Sequence, residues 1–194
     1  MILAWVGLWL QDPAAPVLVP AGSHPWIVSS AAMEPTLVEG DVVLSDRPQG
    51  ECGTTAPVAG DVVLVRSGDA MRVRRVIAGP GRTVQMIDGR VVIDGEGVPR
   101  EEVSRQDAYF TALTLYRETL PGGPGYLTQD FGPSGPLDDT PPITVGPGLW
   151  FTMGDSRDNA IDSRVEGPTP AADLCGVIVR VLESTDPARV GRRP

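Results

Sequence analysis

The sequence predicts a mostly β fold of antiparallel strands carrying a small Pro/Gly-rich β insertion. Three observations lead there. The 194-residue chain holds 23 Gly and 20 Pro, a density of breakers that disfavours long helices and favours short strands joined by turns. Short runs of β-branched residues recur, two of them entered by a Gly-Asp pair, at Gly40-Asp41 and Gly60-Asp61. Asp88-Gly89 lies between two further runs and is the strongest hairpin pattern in the chain. The length fits one domain with a small appended lobe and suffices to bury a sizeable core.

In chain order, residues 1–10 are uncharged and apolar, too few for a membrane-spanning helix, which takes about 20 apolar residues. No Lys or Arg precedes Arg47 to form the basic region of a signal peptide. The Pro/Ala/Gly-rich stretch up to Pro25 reads as a linker, with Pro16-Val17-Leu18-Val19-Pro20 as an edge strand. From Trp26 the pattern turns to period two. Trp26 and Val28 lead into a turn at Ser29-Ser30-Ala31-Ala32, and strands are expected at 41–44, 61–65 and 71–77. Residues 83–87 and 90–93 form the two arms of the Asp88-Gly89 hairpin. Residues 98–148, with Pro/Gly clusters around one alternating apolar piece, read as a loosely ordered accessory lobe. Core strands return at 149–153 and 176–182, so that 26–97 and 149–183 make one β core, and 184–194 is a polar tail. Helix is expected only as a short turn near 170–174.

The charge balance narrows the function. With 16 basic against 25 acidic residues the net charge is −9, so nucleic acid, whose binding rests on neutralising phosphates, is excluded as a partner. One histidine, His24, and two cysteines, Cys52 and Cys175, leave no ligand set for a metal, and no cofactor is expected. The two cysteines are compatible with one disulfide in an exported protein and equally with two separate thiols.

The densest chemistry lies in residues 154–164, where Asp155, Asp158, Asp162, Arg157, Arg164, Asn159, Ser156 and Ser163 directly follow the apolar run Leu149-Trp150-Phe151-Thr152-Met153. Such a composition points to a turn locked by Asx and carboxylate–guanidinium contacts. Together with Ser30-Ala31-Ala32-Met33-Glu34-Pro35-Thr36-Leu37, Gly60-Asp61-Val62-Val63 and Arg74-Arg75-Val76-Ile77-Ala78-Gly79-Pro80-Gly81, in this order, the block resembles the type I signal peptidases over roughly residues 26–182.

That resemblance implies a β protease fold, with residues 98–148 at the place of the family's inserted second lobe. It also implies a Ser/Lys dyad, but the nucleophile position is Ala32, the general-base position is Arg74, and the hydroxyl that helps orient the lysine falls at Ala160. Ser30 matches an oxyanion-hole position. Trp26, Val28, Met33, Leu37 and Val73 match the substrate groove, while Asp155, Arg157, Asp158, Asn159, Asp162, Ser163 and Arg164 match a structural block. Arginine stays protonated and offers no acceptor, and alanine offers no oxygen. Ser30 is two residues from Ala32, about 6–7 Å along an extended chain, outside the roughly 3 Å of a reacting pair.

The expectation is a pseudoprotease that binds extended, signal-peptide-like segments or acts as a regulatory partner of an active signal peptidase. The alternative is a peptidase using a non-standard residue. A guanidinium at position 74 in a partly buried groove needs a carboxylate or carbonyl partner, with Asp155, Asp158 and Asp162 as the acidic candidates. The resemblance further implies N-terminal membrane anchoring with the domain on the extracytoplasmic face. Residues 1–10 are then the remnant or distal half of an anchor, whereas a complete N-terminus would place the chain in the cytoplasm. The self-cleaving repressor proteases share a similar fold, but no helix-turn-helix pattern precedes Trp26, and residues 154–164 side with the signal peptidases.

Overall fold

The computed structural model describes residues 22–107, 112–132 and 135–194. The expectations for an apolar segment at 1–10 and an edge strand at 16–20 lie outside the described residues. Strand β1 (His24–Ile27) opens the fold and pairs antiparallel with β2 (Val42–Ser45), Trp26 opposite Val43. Between them lies a 3-10 turn, Ala31–Met33. The β3 (Val62–Ser67) and β4 (Ala70–Ala78) hairpin follows, with Val63 opposite Arg74 and Val62 opposite Arg75.

One local device starts both β2 and β3. In Val38-Glu39-Gly40-Asp41 the Asp41 carboxylate accepts from Val38 N–H at 3.0 Å, and in Val58-Ala59-Gly60-Asp61 Asp61 accepts from Val58 N–H at 3.0 Å. The intervening glycines take φ of +91° and +98°, a conformation that a Cβ disfavours.

The chain continues through β5 (Thr83–Ile87), β6 (Arg90–Ile93) and β7 (Glu96–Gly97), then β8 (Arg100–Asp107), β9 (Ala112–Thr119), β10 (Gly125–Asp130) and β11 (Ile143–Thr144). It closes with β12 (Leu149–Met153), the short helix α1 (Ser163–Glu166), β13 (Thr169–Pro170), a 3-10 turn at Ala171–Asp173, and β14 (Leu174–Glu183). The main sheet has seven strands in the order β1-β2-β14-β3-β4-β12-β13. A four-stranded sheet runs β11-β5-β6-β7, and a three-stranded one β10-β9-β8.

Residues 98–148 are more regular than the sequence predicts. Where a loosely ordered lobe is expected from the Pro/Gly clusters, β8, β9 and β10 form antiparallel ladders, that of β8 and β9 shifting register once between Glu102 and Ser104, and β11 returns to pair with β5. The clusters mark the connections, and polar alternation such as Thr114, Tyr116 and Glu118 supplies the strands. The 184–194 tail also folds back: Val181 N–H donates to the Arg192 carbonyl and Gly191 N–H to the Val181 carbonyl, both at 2.9 Å.

The core divides between two main clusters. One packs Ile77, Met86, Val91, Leu120, Phe151 and Met153 under the β5–β6 hairpin, and the other packs Val28, Met33, Leu37, Leu64, Cys175 and Ile178 under the first turn. Cys52 and Cys175 are joined in a disulfide across 123 residues, resolving the two alternatives left by their spacing. A crosslink closing so long a loop restricts the unfolded chain by about 4–5 kcal/mol in the loop-entropy account, less any native strain. Reduction, or Cys52→Ser with Cys175→Ser, is expected to lower unfolding stability by roughly 2–5 kcal/mol in a urea titration.

Candidate functional site

A cleft of about 670 Å3 lies beside the first turn, lined by residues of β1, the turn, β4 and the block after β12. Two strand edges face it. β1 is the outermost strand of the main sheet, and β4 loses its second neighbour because pairing with β12 ends at Met153 opposite Arg75. The backbone of residues 70–74 therefore borders the cleft with β3 on one side only.

Four side chains of the expected groove set, Trp26, Val28, Met33 and Val73, line this cleft, whereas Leu37 does not: it is wholly buried in the core beneath. Ala32, Arg74 and Ala160 line it together, so positions distant in sequence converge on one site. Ser29 and Ser30 line it as well and are exposed. Ser30 precedes the 3-10 turn and its hydroxyl makes no capping bond. Because Ala31–Met33 is wound rather than extended, with a rise of about 2 Å per residue, Ser30 and Ala32 are closer than the extended spacing predicts. Asp158 and Asn159 reach the cleft, while Asp155, Arg157, Asp162, Ser163 and Arg164 are buried behind it.

The buried block ties the turn to the rest of the fold. Ser156 N–H donates to the Ala32 carbonyl at 3.1 Å. Gly154 packs so closely that a Cβ there would meet the Ala160 methyl and lie 2.6 Å from the Ala32 oxygen, which is why glycine is needed at this position. Asp162 accepts from Gly154 N–H at 3.0 Å and from the Arg164 Nε and Nη2 at 2.9 and 2.8 Å, and Arg164 reaches on to the Arg157 carbonyl at 2.6 Å.

Asp155 receives a two-pronged contact from Arg75, 2.8 Å from Nε and 2.7 Å from Nη2, and accepts from the Thr36 hydroxyl at 2.5 Å. Arg157, fully buried, grips Glu118 of β9 at 2.9 and 2.6 Å, with Tyr126 of β10 donating to the same carboxylate at 2.9 Å. Burial pulls the Arg75 and Arg157 pKa values down, but Asp155 and Glu118 more than offset it and both end raised.

Arg74 is the exception. Its side chain is 95 % removed from solvent, at 5 % exposure. Nε and Nη2 donate to the Ile161 carbonyl at 3.2 and 2.5 Å and Nη1 to its own strand's Val73 carbonyl at 2.7 Å. The acidic candidates do not serve it, since Asp155 holds Arg75, Asp162 holds Arg164 and Asp158 accepts from Phe131 N–H. The partner is a carbonyl, the other option a guanidinium has. Burial therefore prevails and lowers the Arg74 pKa from its ordinary value, with Asp162 only partly opposing.

Sequence reasoning missed Thr36, Arg75, Glu118, Tyr126 and Gln129 as members of this assembly. Gln129 donates to Ser156 Oγ at 3.0 Å and Glu34 at 3.1 Å. Nothing local marks Glu118 as the mate of Arg157, because only the β8–β9–β10 ladder brings it there.

The signal peptidase, peptidase S26 family model matches residues 14–182. The chain belongs to that family. A signal peptidase I of Rickettsia prowazekii is 30 % identical over 170 residues, 73 % of this chain and 64 % of that protein. Signal peptidase I T of Bacillus subtilis is 31 % identical over 144 residues, 73 % of this chain and 63 % of that protein. This chain thus spans a little under two thirds of these relatives. A solved signal peptidase I from Enterococcus faecalis aligns with a TM-score of 0.39 at 20 % identity, covering 64 % of this chain and 97 % of that one. Among the described residues of this family member, no helix is long and apolar enough to cross a membrane.

The Arg157–Glu118 pair makes a stability prediction. Removing one partner of a buried pair strands the other charge, at about 3–5 kcal/mol. Arg157→Met is expected to lose about that much in urea unfolding, and Arg157→Met with Glu118→Gln less than the sum of the two single losses.

Proposed function

We propose that this chain is a catalytically degenerate signal peptidase homologue that holds extended, signal-peptide-like segments without cleaving them. The observation that carries the reading is the convergence of Ala32, Arg74 and Ala160 on one cleft, at the positions the family resemblance assigns to nucleophile, general base and base-orienting hydroxyl. Amide cleavage by a Ser/Lys pair needs a hydroxyl and, beside it, an amine able to take its proton. The Ala32 methyl supplies no oxygen, and the Arg74 guanidinium, even with a lowered pKa, has no lone pair to accept with.

Neither a lysine nor the histidine supplies the missing base. All 16 basic side chains of the chain are arginine and there is no lysine anywhere. His24 packs edge-on against Trp26, ring centres 5.6 Å apart, and does not line the cleft. Loss of the nucleophile alone lowers turnover on the order of 10⁶-fold in a well-characterised serine protease.

Peptide binding is supported by the two strand edges, β1 and residues 70–74 of β4, which border the cleft without a neighbouring strand on that side. An extended segment added there gains main-chain hydrogen bonds, with side-chain pockets reading alternate residues. The Cys52–Cys175 disulfide supports an oxidising compartment, and with it placement on the extracytoplasmic face of a membrane.

The exposed hydroxyls of Ser29 and Ser30 favour one second reading, a peptidase with a shifted nucleophile. The test is turnover of a fluorogenic signal-peptide substrate, with binding of a non-cleavable analogue followed in parallel. Binding without turnover above buffer is expected. Turnover abolished by Ser29→Ala or Ser30→Ala would establish the second reading instead.

A further inference from the structure

We infer that the cleft is a receptor for a peptide carboxylate, seated on the Arg74 guanidinium, and that its preferred occupant is the free C-terminus of an extended peptide. This rests on the cleft being a peptide site. It adds that the site favours an acid end, the form a cleaved peptide has, over an uninterrupted chain.

The argument begins with donors. A guanidinium carries five N–H groups. Arg74 uses one on Nε, one on Nη1 and one on Nη2, all toward carbonyls. One N–H remains on each terminal nitrogen, available to an incoming acceptor such as a carboxylate.

Charge comes next. The groups acting most strongly on Arg74 are Asp162, Arg72, Glu166 and Arg164. Both carboxylates are engaged elsewhere: Arg164 holds Asp162 at 2.8 Å, and Arg72 holds Glu166 at 3.1 Å. Arg74 itself forms no ion pair among the described residues although it is 5 % exposed. By contrast Arg75 and Arg157, similarly buried, each grip a carboxylate. A buried cation resting on neutral carbonyls is stabilised by an incoming anion far more than a surface cation is.

Position completes the case. Arg74 lines the cleft beside the open edges of β1 and β4, so an added strand ending there presents its last carboxylate to the free N–H pair. Where a reacting serine would crowd that end, Ala32 offers a methyl group. Asp158 is the carboxylate among the lining residues, and one of its oxygens is taken by Phe131 N–H at 2.7 Å.

The experiment compares three forms of one alanine-rich pentapeptide binding to the full chain: free acid, C-terminal amide, and amide with glutamate as the last residue. The free acid is expected to bind about tenfold to a hundredfold tighter than the amide, the range for a charge-assisted contact. In Arg74→Met that preference is expected to fall to about twofold or less. A glutamate amide that matches the acid would support carboxylate recognition and overturn the C-terminal assignment. Equal binding of acid and amide by the unaltered chain would overturn the carboxylate site while leaving peptide binding intact. A preference that survives in Arg74→Met would also overturn it, by placing the carboxylate elsewhere. If no form binds, the peptide-binding reading falls and the carboxylate site with it. The comparison on the unaltered chain decides the matter even if Arg74→Met does not fold.

Discussion

Asp155 is the contact on which the site's geometry depends. Its two oxygens receive Arg75 from β4 and Thr36 from the chain after the first turn. It stands between Gly154 and Ser156, which touch the Ala32 turn directly. Three segments far apart in sequence are thereby held to one another through one carboxylate. Desolvating that charge is tolerable only because a guanidinium and a hydroxyl answer it with good geometry. The same logic repeats one layer away, where Arg157 and Tyr126 converge on Glu118 and couple the block to the three-stranded sheet.

This arrangement separates the fold from the chemistry. Adjacent residues on β4 point to opposite faces, so Arg75 enters the buried network while Arg74 turns to the cleft. Arg75 grips the Asp155 carboxylate, whereas Arg74 rests on carbonyls alone. Position 74 can therefore change without disturbing Asp155, and Ala32 is held through its backbone carbonyl rather than its side chain. Under the proposed function, reactive groups are absent from a scaffold whose own contacts do not need them, and the space they leave is a peptide site with a positive floor.

Much of this was legible in the sequence. The Gly-Asp turns before β2 and β3 and the Asp88-Gly89 hairpin are local features, fixed by backbone conformations that few residues accept, so the chain announces them. Residues 154–164 were legible as a locked block because Asp162 and Arg164 satisfy one another within it. The absence of lysine, readable by inspection, means that no lysine of this chain can act as a base. The rest depended on long-range placement. Glu118 lies in an unremarkable polar strand, and its pairing with Arg157 exists only once β9 is registered against its neighbours. Leu37 reads as apolar in either a groove or a core, and depth, which periodicity does not encode, puts it in the core. For Arg74 the sequence gives the need for a partner but not the choice of the Ile161 carbonyl, because the nearby aspartates are already engaged by other arginines.

The central claim is that the side chains at positions 32 and 74 withhold the chemistry from the site, with the orienting hydroxyl also absent at Ala160. Its most direct measurement is cleavage of a signal-peptide substrate by the Ala32→Ser/Arg74→Lys double variant beside the unaltered chain, with cooperative unfolding of both verified. The account predicts that the double variant cleaves measurably and the unaltered chain does not. Equal cleavage by both, or a folded double variant that binds the substrate yet leaves it uncut, would contradict it.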